Sequence, residues 1–88
     1  MANSIKINEQ VKVKALFQDE NDGGFICQPL KMEFRGKEVA FNKFRINYAN
    51  NSEPDRRTYD LFDQENRYRL IFNMENLSWL LTTIRSRV

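Results

Sequence analysis

Apolar side chains return at every second position along much of this chain. From residue 5 to residue 17 the odd positions read Ile5, Ile7, Glu9, Val11, Val13, Ala15 and Phe17. The even positions between them read Lys6, Asn8, Gln10, Lys12, Lys14 and Leu16. A period of two separates a dry face from a wet one, so the segment predicts a long β-strand. Glu9 interrupts the dry set, which points to a bend or bulge near Glu9-Gln10.

The run QDENDGG, residues 18–24, is a loop by composition. FICQPLKMEF then alternates again, with Ile26, Leu30, Met32 and Phe34 sharing a face. Pro29 falls on the opposite phase and has no N–H to give a ladder, so it predicts an edge strand or a bulge. Gly36-Lys37 has the Gly-X form of a type II′ hairpin turn. That turn would set Arg35 against Glu38, Phe34 against Val39 and Met32 against Phe41. Beyond Phe41 the apolar phase moves to Phe44, Ile46 and Tyr48. One extra residue at Asn42-Lys43, a β-bulge, would restore Leu30/Phe44 and Ile26/Tyr48 pairs.

Residues 49–56 form the second loop, and RTYDLF follows as a strand. A turn at residues 63–66 would then place Leu61 opposite Tyr68, Tyr59 opposite Leu70 and Asp60 opposite Arg69. The C-terminal stretch YRLIFNMENLSWLL supports two structures. Leu77, Leu80, Leu81 and Ile84 lie at helical spacing, and Asn73 or Asn76 could cap a helix over residues 77–86. A hairpin turning at residues 73–76 pairs Phe72 with Leu77, Leu70 with Trp79 and Tyr68 with Leu81, all apolar and all on one face. The segment is rich in strand formers and lacks alanine, and a helix would strand Trp79 in water. The expected fold is therefore all-β, a single domain over residues 1–88. It is a six-stranded antiparallel meander forming a small barrel or sandwich. Five strands followed by a helix is the alternative.

Composition narrows the chemistry. With no histidine and one cysteine in 88 residues, the chain lacks the commonest general base and the ligands of a zinc site. Cys27 has no activating base near it in sequence and reads as a small buried or edge thiol. DENDGG shares Asp19, Asn21 and Gly24 with a calcium loop but has Leu30 where the bidentate acid belongs. RGKEVAF starts like an RNA-recognition motif and lacks its aromatic after the glycine. No phosphate-binding glycine loop or nucleophile elbow is present. Neither an enzyme nor a cofactor-binding protein is expected. The first ten residues lack the apolar core of a signal peptide, and no apolar run is long enough for a spanning helix. With its lone cysteine, the chain is expected in the cytoplasm, with no membrane partner.

What remains is a surface. The formal net charge is only +2, but eight of the twelve acids (Asp19, Glu20, Asp22, Glu53, Asp55, Asp63, Glu65 and Glu75) fall in predicted loops, while most basic residues fall on strands. The predicted pairing writes the outer face of the last three strands as rows: Phe62, Arg67, Thr82; then Asp60, Arg69, Leu80; then Thr58, Ile71, Ser78. Phe62, Arg67, Arg69, Ile71 and Leu80 are the candidate partner-binding residues, because interfaces favour aromatic and arginine side chains. Two functions fit. One is a protein-interaction or self-association module. The other is single-stranded nucleic-acid binding, with Arg45, Arg67 and Arg69 near Phe62. Lysines on a wet strand face, such as Lys6, Lys12 and Lys14, also serve simply to discourage edge aggregation.

Overall fold

The computed structural model describes residues 4–19, 25–47 and 56–87. Seven antiparallel strands run in chain order as β1 (Ser4–Asp19), β2 (Phe25–Phe34), β3 (Lys37–Ala40), β4 (Lys43–Asn47), β5 (Arg56–Phe62), β6 (Asn66–Asn73) and β7 (Ser78–Ser86). They form one strongly curled sheet, a half-barrel, in the order β3-β2-β1-β7-β6-β5-β4. The described residues contain no helix, so the alternative helix at 77–86 is replaced by β7.

The third predicted strand is two strands, which is why seven appear where six are expected. The break falls at Phe41-Asn42, where a bulge would otherwise be needed. Phe41 N donates to Leu30 O of β2 at 2.9 Å, and Asn42 N donates to Phe62 O of β5 at 2.9 Å. In one peptide step the chain leaves one end of the sheet and joins the other. Phe44 accordingly pairs with Leu61 and not with Leu30. The Ile26/Tyr48 pairing and residues 20–24 and 49–55 of the two predicted loops lie outside the described residues.

The first strand bends as its pattern predicts, slightly earlier in the chain. Its register on β7 slips between Lys6 and Glu9, around Asn8 at φ 55°. Asparagine tolerates the left-handed region better than most residues, so the slip is placed there. The β1–β2 register slips opposite Pro29–Lys31, consistent with the missing N–H of Pro29. This slip also reverses the facing of β2. Cys27 is buried before it and Met32 after it, one odd and one even position.

The β2–β3 turn is Arg35-Gly36 and not Gly36-Lys37. Both residues have positive φ, 50° and 77°, as a type I′ turn requires. Phe34 therefore pairs with Lys37 and Met32 with Val39. The β5–β6 pairs Leu61/Tyr68, Tyr59/Leu70 and Asp60/Arg69 form as the sequence predicts. The β6–β7 hairpin differs by two residues: Phe72 faces Trp79, because residues 74–77 make up the turn. An irregularity at Arg69/Leu70 then brings Tyr68 opposite Ile84. A shift of two preserves facing, so Leu70, Phe72, Trp79 and Leu81 are still inside, whereas Leu77, expected opposite Phe72, falls in the turn and is exposed.

That core consists of Cys27, Met32, Tyr59, Leu61, Tyr68, Leu70, Phe72, Trp79 and Leu81. Trp79 stacks on Phe72 with ring centroids 4.4 Å apart and lies 5.3 Å from Tyr59. Each large side chain buried here contributes roughly 2–3 kcal/mol.

Candidate functional site

The β-ladders place residues of five strands in rows across the outer face. Directly opposite residues share a face, so the registers alone define these rows. One row reads Lys43, Phe62, Arg67, Arg85 and Ser4. The next reads Arg45, Asp60, Arg69, Thr83 and Lys6. A third carries Thr58, Ile71, Leu80 and Gln10. Rows two residues apart along a strand are separated by about 7 Å, and neighbouring strands by about 4.8 Å.

The predicted site residues lie on this face, but in a different arrangement. Ile71 and Leu80 are immediate cross-strand neighbours. Phe62 stands two rows away from them, so the three do not form one apolar patch. Arg67 faces Arg85 and not Thr82, and Arg69 faces Thr83 and not Leu80. Thr82 is the extra residue of the β7 irregularity, and its hydroxyl donates to Arg69 O at 2.9 Å. Lys43, Arg85, Arg87 and Lys6 went unrecognised as members of the site. Finding Arg85 requires both the turn at residues 74–77 and the irregularity at Arg69/Leu70, since the turn alone would set Arg67 against Ile84. Lys43 follows from continuing the meander to the strand before RTYDLF.

Charge on the face is lopsided. The first two rows hold the cations Lys43, Arg67, Arg85, Arg45, Arg69 and Lys6 against a single carboxylate, Asp60. Asp60 is fully buried, and its Oδ1 accepts from Arg69 Nε at 3.0 Å. Its Oδ2 lies 3.7 Å from Arg45, beyond hydrogen-bond reach. The arginines cover the acid, so the surface they present is positive. Arg67 and Arg85 stand opposite each other, and neither forms an ion pair among the described residues. Like charges directly across strands cost stability.

Phe62 is the aromatic member. Lys43 Nζ lies 5.7 Å and Arg87 Cζ 5.4 Å from its ring centroid, both within cation–π range. Arg87 is held in place there. Its guanidinium donates to Asp63 O at 2.6 Å, and its backbone N donates to Glu65 O at 2.9 Å. Asp63 in turn organises the β5–β6 turn, accepting from Glu65 N, Asn66 N and Tyr68 Oη at 2.8, 2.6 and 2.7 Å. Burial pushes the Asp63 pKa up, but Tyr68, the two backbone amides and Arg87 together outweigh it and hold the carboxyl below its ordinary value.

Elsewhere the chemistry is quiet. Cys27 is buried, and burial raises its thiol pKa above the ordinary value, so the reactive thiolate is disfavoured. Among the described residues no three His, Cys, Asp or Glu side chains gather where they could hold a metal. No helix of the described residues is long and apolar enough to cross a membrane. Comparison with known protein families, curated proteins and solved structures finds no match.

Proposed function

We propose that the protein is a non-catalytic binding module whose outer β4–β7 face receives a single-stranded nucleic acid. The observation that carries this reading is the row Lys43, Phe62, Arg67, Arg85, which holds three cations and an aromatic ring with no carboxylate among them. Setting Arg67 opposite Arg85 disfavours the fold on its own account, and an anionic strand across the row would relieve it. Sheet surfaces that bind single strands combine cations along the backbone with rings that stack on bases, and Phe62 supplies the ring. The small net charge does not oppose this, because the single carboxylate of the first two rows, Asp60, is buried beneath Arg69.

The test is titration of a labelled sample with a mixed-sequence single-stranded oligonucleotide at low and moderate salt. Shifts should cluster at Lys43, Phe62, Arg67 and Arg85, and affinity should fall about tenfold or more as salt rises, because phosphate contacts release counterions. Binding indifferent to salt, or unchanged by Arg67→Glu with Arg85→Glu, would refute the reading. A protein partner or second copy on this face is the alternative, and the adjacent Ile71 and Leu80 favour it. Concentration-dependent shifts at those two residues without added nucleic acid would establish it.

A further inference from the structure

The first strand is long enough to serve two ladders in turn. Its residues from Lys12 onward pair with β2, and those up to Val11 pair with β7. On the side away from β2, the β7 ladder stops at the Val11–Trp79 pair. Beyond that pair no described strand covers the backbone of the second half of β1. A groove of about 690 Å³ opens here, with Val13, Phe17, Leu77 and Trp79 in its lining and the charged Lys12, Glu33 and Arg35 toward β2.

Two of these side chains are more than half exposed, although the Phe17 ring also lies 6.2 Å from that of Phe72. Phe17 is 55% exposed and Leu77 65%. Leu77 also sits at φ 59°, a left-handed conformation that a branched aliphatic residue adopts only under strain. Glycine or asparagine would occupy that turn position with less strain, so an exposed leucine there calls for a reason outside the hairpin. Lys12, which also borders the groove and stands opposite Glu33 of β2, and Lys14 are both exposed at this edge.

We propose that this edge takes up an extended peptide strand that alternates apolar residues with Asp or Glu. Added beside β1, such a strand would complete the unpaired backbone ladder. Its apolar side chains would enter the groove against Val13, Ala15, Phe17 and Leu77, and its carboxylates would meet Lys12 and Lys14. The lysines select this occupant over a second copy of the chain. Two copies pairing antiparallel about Val13 or Lys14 would set lysine against lysine, the arrangement that proteins use to block edge-to-edge association. The proposal concerns a different surface from the β4–β7 face and stands apart from the nucleic-acid reading.

The probe is a blocked hexapeptide alternating Glu with Val and Phe, compared with its Lys-for-Glu counterpart by amide shifts of labelled protein. The Glu peptide should shift residues 11–17 and 77–79 and slow hydrogen exchange along the free side of β1. It should bind about tenfold more tightly than the Lys peptide, in keeping with complementary charges across the edge. Lys12→Glu with Lys14→Glu should reverse that preference while leaving the remaining spectrum native, since both sites are exposed. Leu77→Asn should weaken both peptides. Three results would overturn the proposal: a preference unmoved by charge reversal, Glu-peptide shifts centred on Arg67 and Arg85, or no shift at millimolar peptide. Concentration-dependent shifts of residues 11–17 without peptide would assign the edge to a second copy and overturn it equally.

Discussion

Tyr59 Oη donates a 3.0 Å hydrogen bond to the backbone carbonyl of Cys27, joining β5 near one end of the curled sheet to β2 near the other. Both residues are fully buried, so the bond has no water to replace it. Tyr59→Phe keeps the ring against Trp79 and Phe44 and removes only the donor. We expect a loss of about 1–3 kcal/mol in denaturant unfolding, the cost of leaving a buried carbonyl unsatisfied. A variant as stable as the parent would show that this carbonyl finds another partner.

Alkaline stability follows from the same ring. Burial pushes the phenols of Tyr59 and Tyr68 up to about 12. In the unfolded chain they ionise at about 10. A raised folded pKa contributes stability that is complete below the unfolded value and is lost as pH rises through the folded one. Stability should therefore decline between about pH 10 and pH 12. Phenolate absorbance followed with far-ultraviolet dichroism tests this, and full ionisation of all three tyrosines at pH 10 in a folded sample would contradict it.

The acid limb runs through Asp63, whose carboxyl is held below its ordinary value. A depressed folded pKa contributes stability above the unfolded value, about 4 for Asp. That contribution is lost as pH falls further, through the folded value. Asp63→Ala should flatten the acid side of the stability profile and release Tyr68 Oη, which currently donates to this carboxylate. The Tyr68 phenol should then titrate lower.

Asp60 predicts an asymmetry between its two arginines. Arg69 binds it at 3.0 Å and is 34% exposed, whereas Arg45 lies 3.7 Å away and is 66% exposed. Arg45→Ala should cost less than about 1 kcal/mol, as exposed ion pairs do. Arg69→Ala leaves a buried carboxylate without its hydrogen-bond donor and should cost about 3 kcal/mol or more. Equal effects of the two substitutions would mean that the acid re-solvates easily.

Leu77→Asn should raise stability by about 0.5–1 kcal/mol, because asparagine tolerates the left-handed backbone better than leucine. Combined with weaker peptide capture, that gain would mark Leu77 as a residue kept for binding at the expense of the hairpin.

The sequence disclosed its structure unevenly, for physical reasons. Alternation identifies most strands and their inward faces, though not that of β2 before the Pro29 slip, where Cys27 is buried. The β5–β6 register follows because a short polar break separates two strongly alternating runs. The β6–β7 register escapes by two residues because Leu77 looks like a strand residue and is the last residue of a turn. Nothing local in Phe41-Asn42 reveals that the chain changes partners there, since each flank alternates acceptably on its own. For the site, Phe62, Arg67 and Arg69 are legible as one face. Arg85 is not, because its place in the row depends on the mislocated turn and the irregularity beyond it.

The passage through Phe41 and Asn42 also bears on how the molecule comes apart. An ordinary open sheet has two loose ends, and either can peel away while the rest persists. Here the outermost strands, β3 and β4, are consecutive and separated by two residues that bond to β2 and β5. Lifting either one tugs on the other, so the sheet has no independent hem from which to unravel. Amide protons of these short strands should accordingly exchange with nearly the same opening free energy as the central ones.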